Sequence, residues 1–147
     1  MYKRQIPVIQ MSLPTHDPYR LLALGARLAP LRDEGVLVLG TGSITHNLRR
    51  VFAGGLHAKA DQPEIVESAE FRRWMLARSA ARDWPALFDY RALAPYAVDM
   101  HPTDEHLLPW FVAAGAGGRE AIAQRLHDSV TMGSLAMDAY ALSLIHI

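Results

Sequence analysis

The stretch "GVLVLGTGSITHNLR", residues 35 to 49, decides how the chain is read. Val36 to Leu39 is an unbroken aliphatic run of strand length closed by Gly40 and Gly42, the pattern of a strand buried on both faces of a sheet. Upstream, "THDPYRLLALGARLAPLRDEG" places Leu21, Leu22, Leu24, Leu28 and Leu31 largely on one helical face, with Asp17 and Pro18 as start signals and Gly35 as a stop. Before that helix, "IPVIQMSL" (Ile6 to Leu13) is a second β-branched apolar run, ended by Pro14. Strand, helix and strand with short links form a βαβ unit, which predicts that Ile6–Leu13 and Val36–Gly42 pair in parallel inside the sheet.

Further along, Ile65 to Leu93 is helical in period, with Phe71, Trp74, Met75, Trp84, Leu87 and Phe88 as its core residues and Asp83-Trp84-Pro85 as a break. Thr103 to Ala116 predicts another helix ending at Gly117-Gly118, and "SVTMGSLAMDAY" (Ser129 to Tyr140) predicts a last strand. The expected fold is α/β, in three layers, with a mostly parallel or mixed sheet flanked by helices.

Composition narrows the function. With 147 residues, half of them apolar, the chain suits one domain. Lysine plus arginine balances aspartate plus glutamate at 15 each, so no global charge favours nucleic acid or anionic lipid, and a small molecule is the expected partner. There is no cysteine, so any metal must be held by carboxylates and by some of the seven histidines. No apolar run reaches the roughly 18 residues that span a membrane, and "MYKRQIPVIQMSL" has neither a long apolar core nor a cleavage site, giving a cytoplasmic expectation.

Two places carry chemistry. His46 stands beyond the carboxyl end of the Val36–Gly42 run, where α/β sheets collect ligands. The loop is not a nucleotide-binding one: it lacks a Gly-Lys-Ser/Thr ending, and Thr45 stands where a dinucleotide fingerprint has its third glycine. Periodicity alone leaves open a plainer reading, in which Thr45 or Asn47 caps a turn and His46 is solvated. In "HPTDEHLLPW" (His101 to Trp110), Thr103, Asp104 and Glu105 suit the first turn of a helix, but His106 does not, because a cation is disfavoured there. Neutral imidazole is the metal-binding form. If the helix starts at Thr103, Pro109 also cannot donate to the Glu105 carbonyl. His101 is the weaker candidate of the pair. His16, His57 and His127 read as surface histidines, Trp74, Trp84 and Trp110 as core, and the arginines at 49, 50, 72, 73, 78 and 82 mostly as solvated faces.

Taken together, "IPVIQMSL", "LGARLAPLRDEGVLVLGTGSITHNLR", "HPTDEHLLPWFVAAGAGG" and "MGSLAMDAY" resemble the C-terminal half of the class III extradiol ring-cleavage dioxygenases, in the DOPA 4,5-dioxygenase-like branch. The resemblance covers residues 5 to 141, and its two signatures, "THNLR" and "PTDEHLLP", are specific in combination. It implies that His106 is a ligand of a catalytic metal, Fe(II) with zinc as the alternative. The same resemblance implies that His46 lies beside that metal, as a ligand or as the acid/base group facing a catechol-type, DOPA-like substrate and dioxygen. It also implies that residues 1–141 are a partial catalytic domain truncated at the N-terminus, with two further histidines of the family pattern unmatched and little activity expected of the chain alone. A metal-free binding or scaffold relative of the same fold is the alternative, and a histidine-carboxylate metallohydrolase a third. The terminal "LSLIHI" (residues 142–147) matches one frame of the sequencing adaptor CTGTCTCTTATACACATC and is expected to be non-native.

Overall fold

The structure, a computed structural model, describes residues 6–53 and 59–143. His57 and the last four residues of "LSLIHI" lie outside them.

Helix α1 (Pro18–Leu28) begins where its sequence signals place it. The Asp17 carboxylate accepts from the backbone N–H groups of Tyr19 and Arg20, and Pro18 occupies the first turn, where a missing N–H costs nothing. A 3-10 turn, Ala29–Glu34, extends it to Gly35, whose φ of 78° closes the helix in the left-handed region. The predicted break at Asp83 is also present. Helix α3 (Val66–Ala81) stops at Arg82 in the left-handed conformation, and Asp83 caps α4 (Trp84–Phe88) through the Ala86 N–H. Short helices α2 (Leu48–Phe52), α5 (Tyr90–Leu93) and α6 (Ala97–Met100) complete the middle of the chain.

The apolar face of α1 packs on α7 (Pro109–Gly117), and the contact is backbone to backbone. A methyl group at Gly25 would lie 2.0 Å from the Val112 carbonyl oxygen, and one at Gly115 would lie 2.0 Å from that of Leu22. Leu21, Leu22, Phe71, Met75, Leu87, Tyr90, Met100, Leu107, Leu108 and Phe111 form the core around this crossing.

Three expectations are corrected. Ile6–Leu13 and Val36–Gly42 belong to no strand and do not pair in parallel. Ile9 is 95% exposed and Leu37 82%. Along the second segment Gly40 lies against α7 and Val38 is half-buried, while Val36, Leu37 and Leu39 are exposed, so only one side is covered and only over its second half. A run that reads as doubly buried therefore has half its burial here. Second, α7 starts at Pro109 and not at Thr103. Residues 102–108 form turns in which the N–H groups of Leu107 and Leu108 both reach the Asp104 carbonyl, and Pro109 takes the first helical position, where it breaks nothing.

Third, the expected last strand is broken by Met132 and Gly133, both at positive φ, into β2 (Val130–Thr131) and β3 (Leu135–Ala136). An unforeseen strand, β1 (Ile122–His127), pairs antiparallel with β4 (Ala139–Ser143), so Leu142 and Ser143 belong to a hydrogen-bonded ladder. The chain is thus mixed α and β, with two small antiparallel sheets among the described residues.

Arg72 is not a solvated arginine. It is 6% exposed and binds Glu64 at 2.8 Å, Asp138 at 2.6 Å and Asp128, tying α3 to the β1–β4 hairpin. Among the described residues no helix is long and apolar enough to cross a membrane.

Candidate functional site

Residues 43–47 follow Val36–Gly42 and run alongside residues 100–106. Three hydrogen bonds fasten the two stretches: the Ser43 N–H to the His106 carbonyl at 2.8 Å, the His46 N–H to the Met100 carbonyl at 2.9 Å, and the His101 ring Nε2 to the Ile44 carbonyl at 2.7 Å. Because that carbonyl can only accept, His101 carries its proton on Nε2. Thr45 anchors the loop from the other side. Its fully buried hydroxyl donates to the Ser134 carbonyl at 2.8 Å and accepts the Ala136 N–H at 2.9 Å, sustaining an isolated bridge to β3. Asn47 caps α2 by accepting the Arg50 N–H at 3.1 Å and uses its amide nitrogen on Asp99.

The result brings His46 and His106 together, with ring centroids 3.7 Å apart and planes inclined by 33°. Gly42 makes this approach feasible, since a Cβ there would fall 1.9 Å from the His106 carbonyl oxygen. Burial, reinforced by the neighbouring His106, lowers the His46 pKa below the ordinary imidazole value, so the ring is mainly neutral near pH 7 and able to take up a proton.

Asp104 and Glu105 divide their work. Burial alone would raise the Asp104 carboxyl, but hydrogen bonds from His16 at 3.0 Å and Tyr90 at 3.2 Å, with the Arg91 charge, outweigh it and hold the group ionised. Asp104 is therefore a structural tie, and His16, which reads as a plain surface residue, is its exposed partner. Glu105 stays at the site: one oxygen accepts from Thr103 at 2.9 Å and lies 3.7 Å from the His106 Nε2. Its carboxyl is held low, first by a backbone hydrogen bond and then by Thr103. His127 lies elsewhere, bonded to the Ser129 hydroxyl at 2.8 Å on the β1–β2 link.

His101 is fully buried, against the Phe71 ring at 5.4 Å, so it is no exposed ligand. Burial pushes its imidazole down to about 4, keeping it neutral, and its Nδ1 has no partner among the described residues. The sequence flagged His46 and His106 and offered His101 only as a weaker ligand candidate, whereas the structure makes it a buried donor to the Ile44 carbonyl. Its bond to a carbonyl 57 residues away has no local signature.

Among the described residues no group of three or more histidine, aspartate or glutamate side chains is arranged to hold a metal ion. His46 and His106 offer two nitrogen donors, one short of the three protein ligands usual in catalytic centres such as those of zinc. His106 also lines a groove of about 740 Å³, together with residues 35–44, Trp110 and β4. Trp110 Nε1 and the Tyr140 hydroxyl, both on its lining residues, lack hydrogen-bond partners among the described residues.

Comparison with known proteins places this geometry in a family. A model of the catalytic LigB subunit of aromatic ring-opening dioxygenase matches residues 1–140. The 4,5-DOPA dioxygenase extradiol of Beta vulgaris is 34% identical over 136 residues, which are 92% of this chain and 48% of that protein. Its namesake in Escherichia coli K12 is 30% identical over 139 residues, 90% of this chain and 48% of the relative. A crystal structure of an uncharacterised Escherichia coli K12 protein superposes with a TM-score of 0.68 at 26% identity, covering 84% of this chain and 49% of the other. The chain thus spans about half the length of the relatives it matches. It belongs to the class III extradiol ring-cleavage dioxygenases, in the DOPA dioxygenase-like branch.

Proposed function

We propose that this chain supplies the proton-handling and part of the metal-binding apparatus of an extradiol ring-opening dioxygenase whose substrate is a DOPA-like catechol. The observation that carries the reading is the His46–His106 pair at 3.7 Å, built on the two segments that carry "THNLR" and "PTDEHLLP". A neutral His46 has a free ring nitrogen for a catechol hydroxyl proton and can return that proton to oxygen later in the reaction. Glu105, ionised at the rim 3.7 Å from the His106 ring, favours the protonated state of His46 once that ring takes up a proton.

The proposed cofactor is Fe(II), with zinc as the alternative, bound by His106 and in one version of the reading by His46 as well. Two donors leave the set incomplete, so at least one further ligand comes from outside the described residues. Alone, the chain is expected to be a poor catalyst. In the complete fold we place Ile6–Leu13 and Val36–Gly42 as strands of a larger sheet between two helical layers, which would cover their outward faces. A metal-free binding role for the same fold is the competing reading.

The test is dioxygen uptake with DOPA and Fe(II), measured on a protein carrying these residues at the full length of the relatives. His106→Ala should lower metal content and turnover together. His46→Ala should keep substantial metal yet lose turnover by about 10²- to 10⁴-fold if it moves protons, and lose metal too if it is a ligand. Full activity in both variants would refute the reading.

A further inference from the structure

We propose that His101 is a positioning residue for His46, acting through the peptide group of Ile44. The proposal rests on the reading of His46 as a working residue of the site.

His101 is the residue after α6, where Met100 has just accepted the His46 N–H at 2.9 Å. Two adjacent residues therefore hold two points of one loop: Met100 takes the N–H of His46, and the His101 ring gives its proton to the carbonyl of Ile44. With both the Ile44 carbonyl and the His46 N–H fixed, the backbone between them has little freedom, and the Cα–Cβ direction of His46 is set. The third tie, from Ser43 to the His106 carbonyl, fixes the second histidine relative to the same loop. This is how two imidazoles come to lie face to face on segments with no helix or strand in common.

His101 is itself well held. Its own N–H donates to the Ala97 carbonyl at 2.8 Å, its carbonyl accepts from Arg91 at 3.1 Å, and Phe71 flanks its ring. A core-filling residue would explain the full burial, but a leucine or phenylalanine would fill that volume without a polar ring. Burying an imidazole with one nitrogen unpartnered is unfavourable, and the donor it brings to Ile44 is the compensating interaction visible in the structure. Partners hydrogen-bonded to the ring of a metal-binding histidine fix its orientation, and their loss typically weakens metal binding by about 10- to 100-fold; His101 reaches His46 through the backbone, so that range is the upper bound.

The experiment compares His101→Leu, which removes the donor, with His101→Gln, whose side-chain amide places an N–H near the position of Nε2. Both are made in the full 147-residue chain. The readout is side-chain proton and carbon NMR of the His46 and His106 rings, which at 3.7 Å should show ring-current shifts and a mutual nuclear Overhauser effect. Methyl signals of Met75 and ring signals of Phe111 report the core. The expected result is loss of the mutual effect in His101→Leu with the core signals retained, and its recovery in His101→Gln. Zinc ion alone, titrated against the same resonances, should bind more weakly to His101→Leu than to the parent chain, by up to about 10- to 100-fold. If the parent binds no zinc at these rings, the metal reading fails while the ring comparison still decides the role of His101. An unchanged His46–His106 contact in His101→Leu overturns the proposal. Should His101→Leu not fold, the glutamine variant decides: retention of the contact supports it, and a folded variant with His46 displaced overturns it.

Discussion

Replacing Gly115 by alanine sets two effects of opposite sign against each other. In an ordinary exposed helix the change stabilises by about 1 kcal/mol, because glycine is the poorer helix former. At this position the new methyl would sit 2.0 Å from the Leu22 carbonyl oxygen and 2.9 Å from the Ala26 nitrogen, both backbone atoms of α1 that no rotamer change can move. The helices must then part by about 1 Å, and a gap of that size forfeits up to about half of each dispersion contact across it. Leu21, Leu22, Phe111 and Val112 lie at this crossing. Overpacking a core costs about 1–3 kcal/mol, and a rigid obstacle belongs at the upper end, so the net destabilisation should be about 2 kcal/mol. Urea unfolding followed by circular dichroism reads this as a midpoint lowered by about 1 M for a typical slope of about 2 kcal/mol per M. Gly25→Ala, whose methyl would lie 2.0 Å from the Val112 carbonyl, should cost a similar amount. Once one methyl has parted the helices the other meets less resistance, so the double variant should lose clearly less than the sum. A raised midpoint for Gly115→Ala, or strict additivity of the pair, would refute the close backbone crossing.

Arg72→Met should cost about 3 kcal/mol by denaturation, the low end for breaking a buried pair, since it leaves the fully buried Asp138 side chain with only Arg125 at 3.8 Å, and adding Asp138→Leu should recover much of the loss. Thr45→Val keeps the shape but orphans the buried Ala136 N–H, so a loss of about 1–3 kcal/mol is expected in the same assay. The His101 imidazole, held down at about 4 chiefly by burial, has a folded pKa below its unfolded value near 6.5. The unfolded chain therefore takes the proton first, and stability should fall by up to about 3 kcal/mol as pH drops from near 6.5 toward 4. In His101→Gln that part of the pH profile should flatten, and an unchanged slope would mean His101 is already accessible to protons.

What the sequence made legible was local. Asp17-Pro18, Gly35 and the Asp83-Trp84-Pro85 step act on the few residues beside them, through caps and fixed backbone angles, and each ended or began a helix where it stood. Val36–Leu39 announces a demand for burial on two faces, but its pattern cannot say which layer meets that demand, and here α7 meets half of it. Pro109 carried the information that α7 begins there, yet the acidic residues before it imitate a helix start while serving as turn and tie. Arg72 reads as solvated because its carboxylates sit at positions 64, 128 and 138, a convergence that only the fold creates. The two motif histidines were visible as types out of place, whereas their face-to-face arrangement depends on carbonyls and amides, which no residue code records.

The outward-facing aliphatic edges also have a colloidal consequence. Ile6, Val8, Ile9, Leu37 and Leu39 present aliphatic side chains to water on main chain that belongs to no sheet, a surface on which other chains can stack. Pro7, with no N–H to give, interrupts one of these edges and acts as a partial gatekeeper, but Val36 to Leu39 contains no charge and no proline. Handled by itself at high concentration, the polypeptide should self-associate first through that tetrapeptide. A single lysine at Leu37 or Leu39 should keep it dispersed without touching the histidine pair.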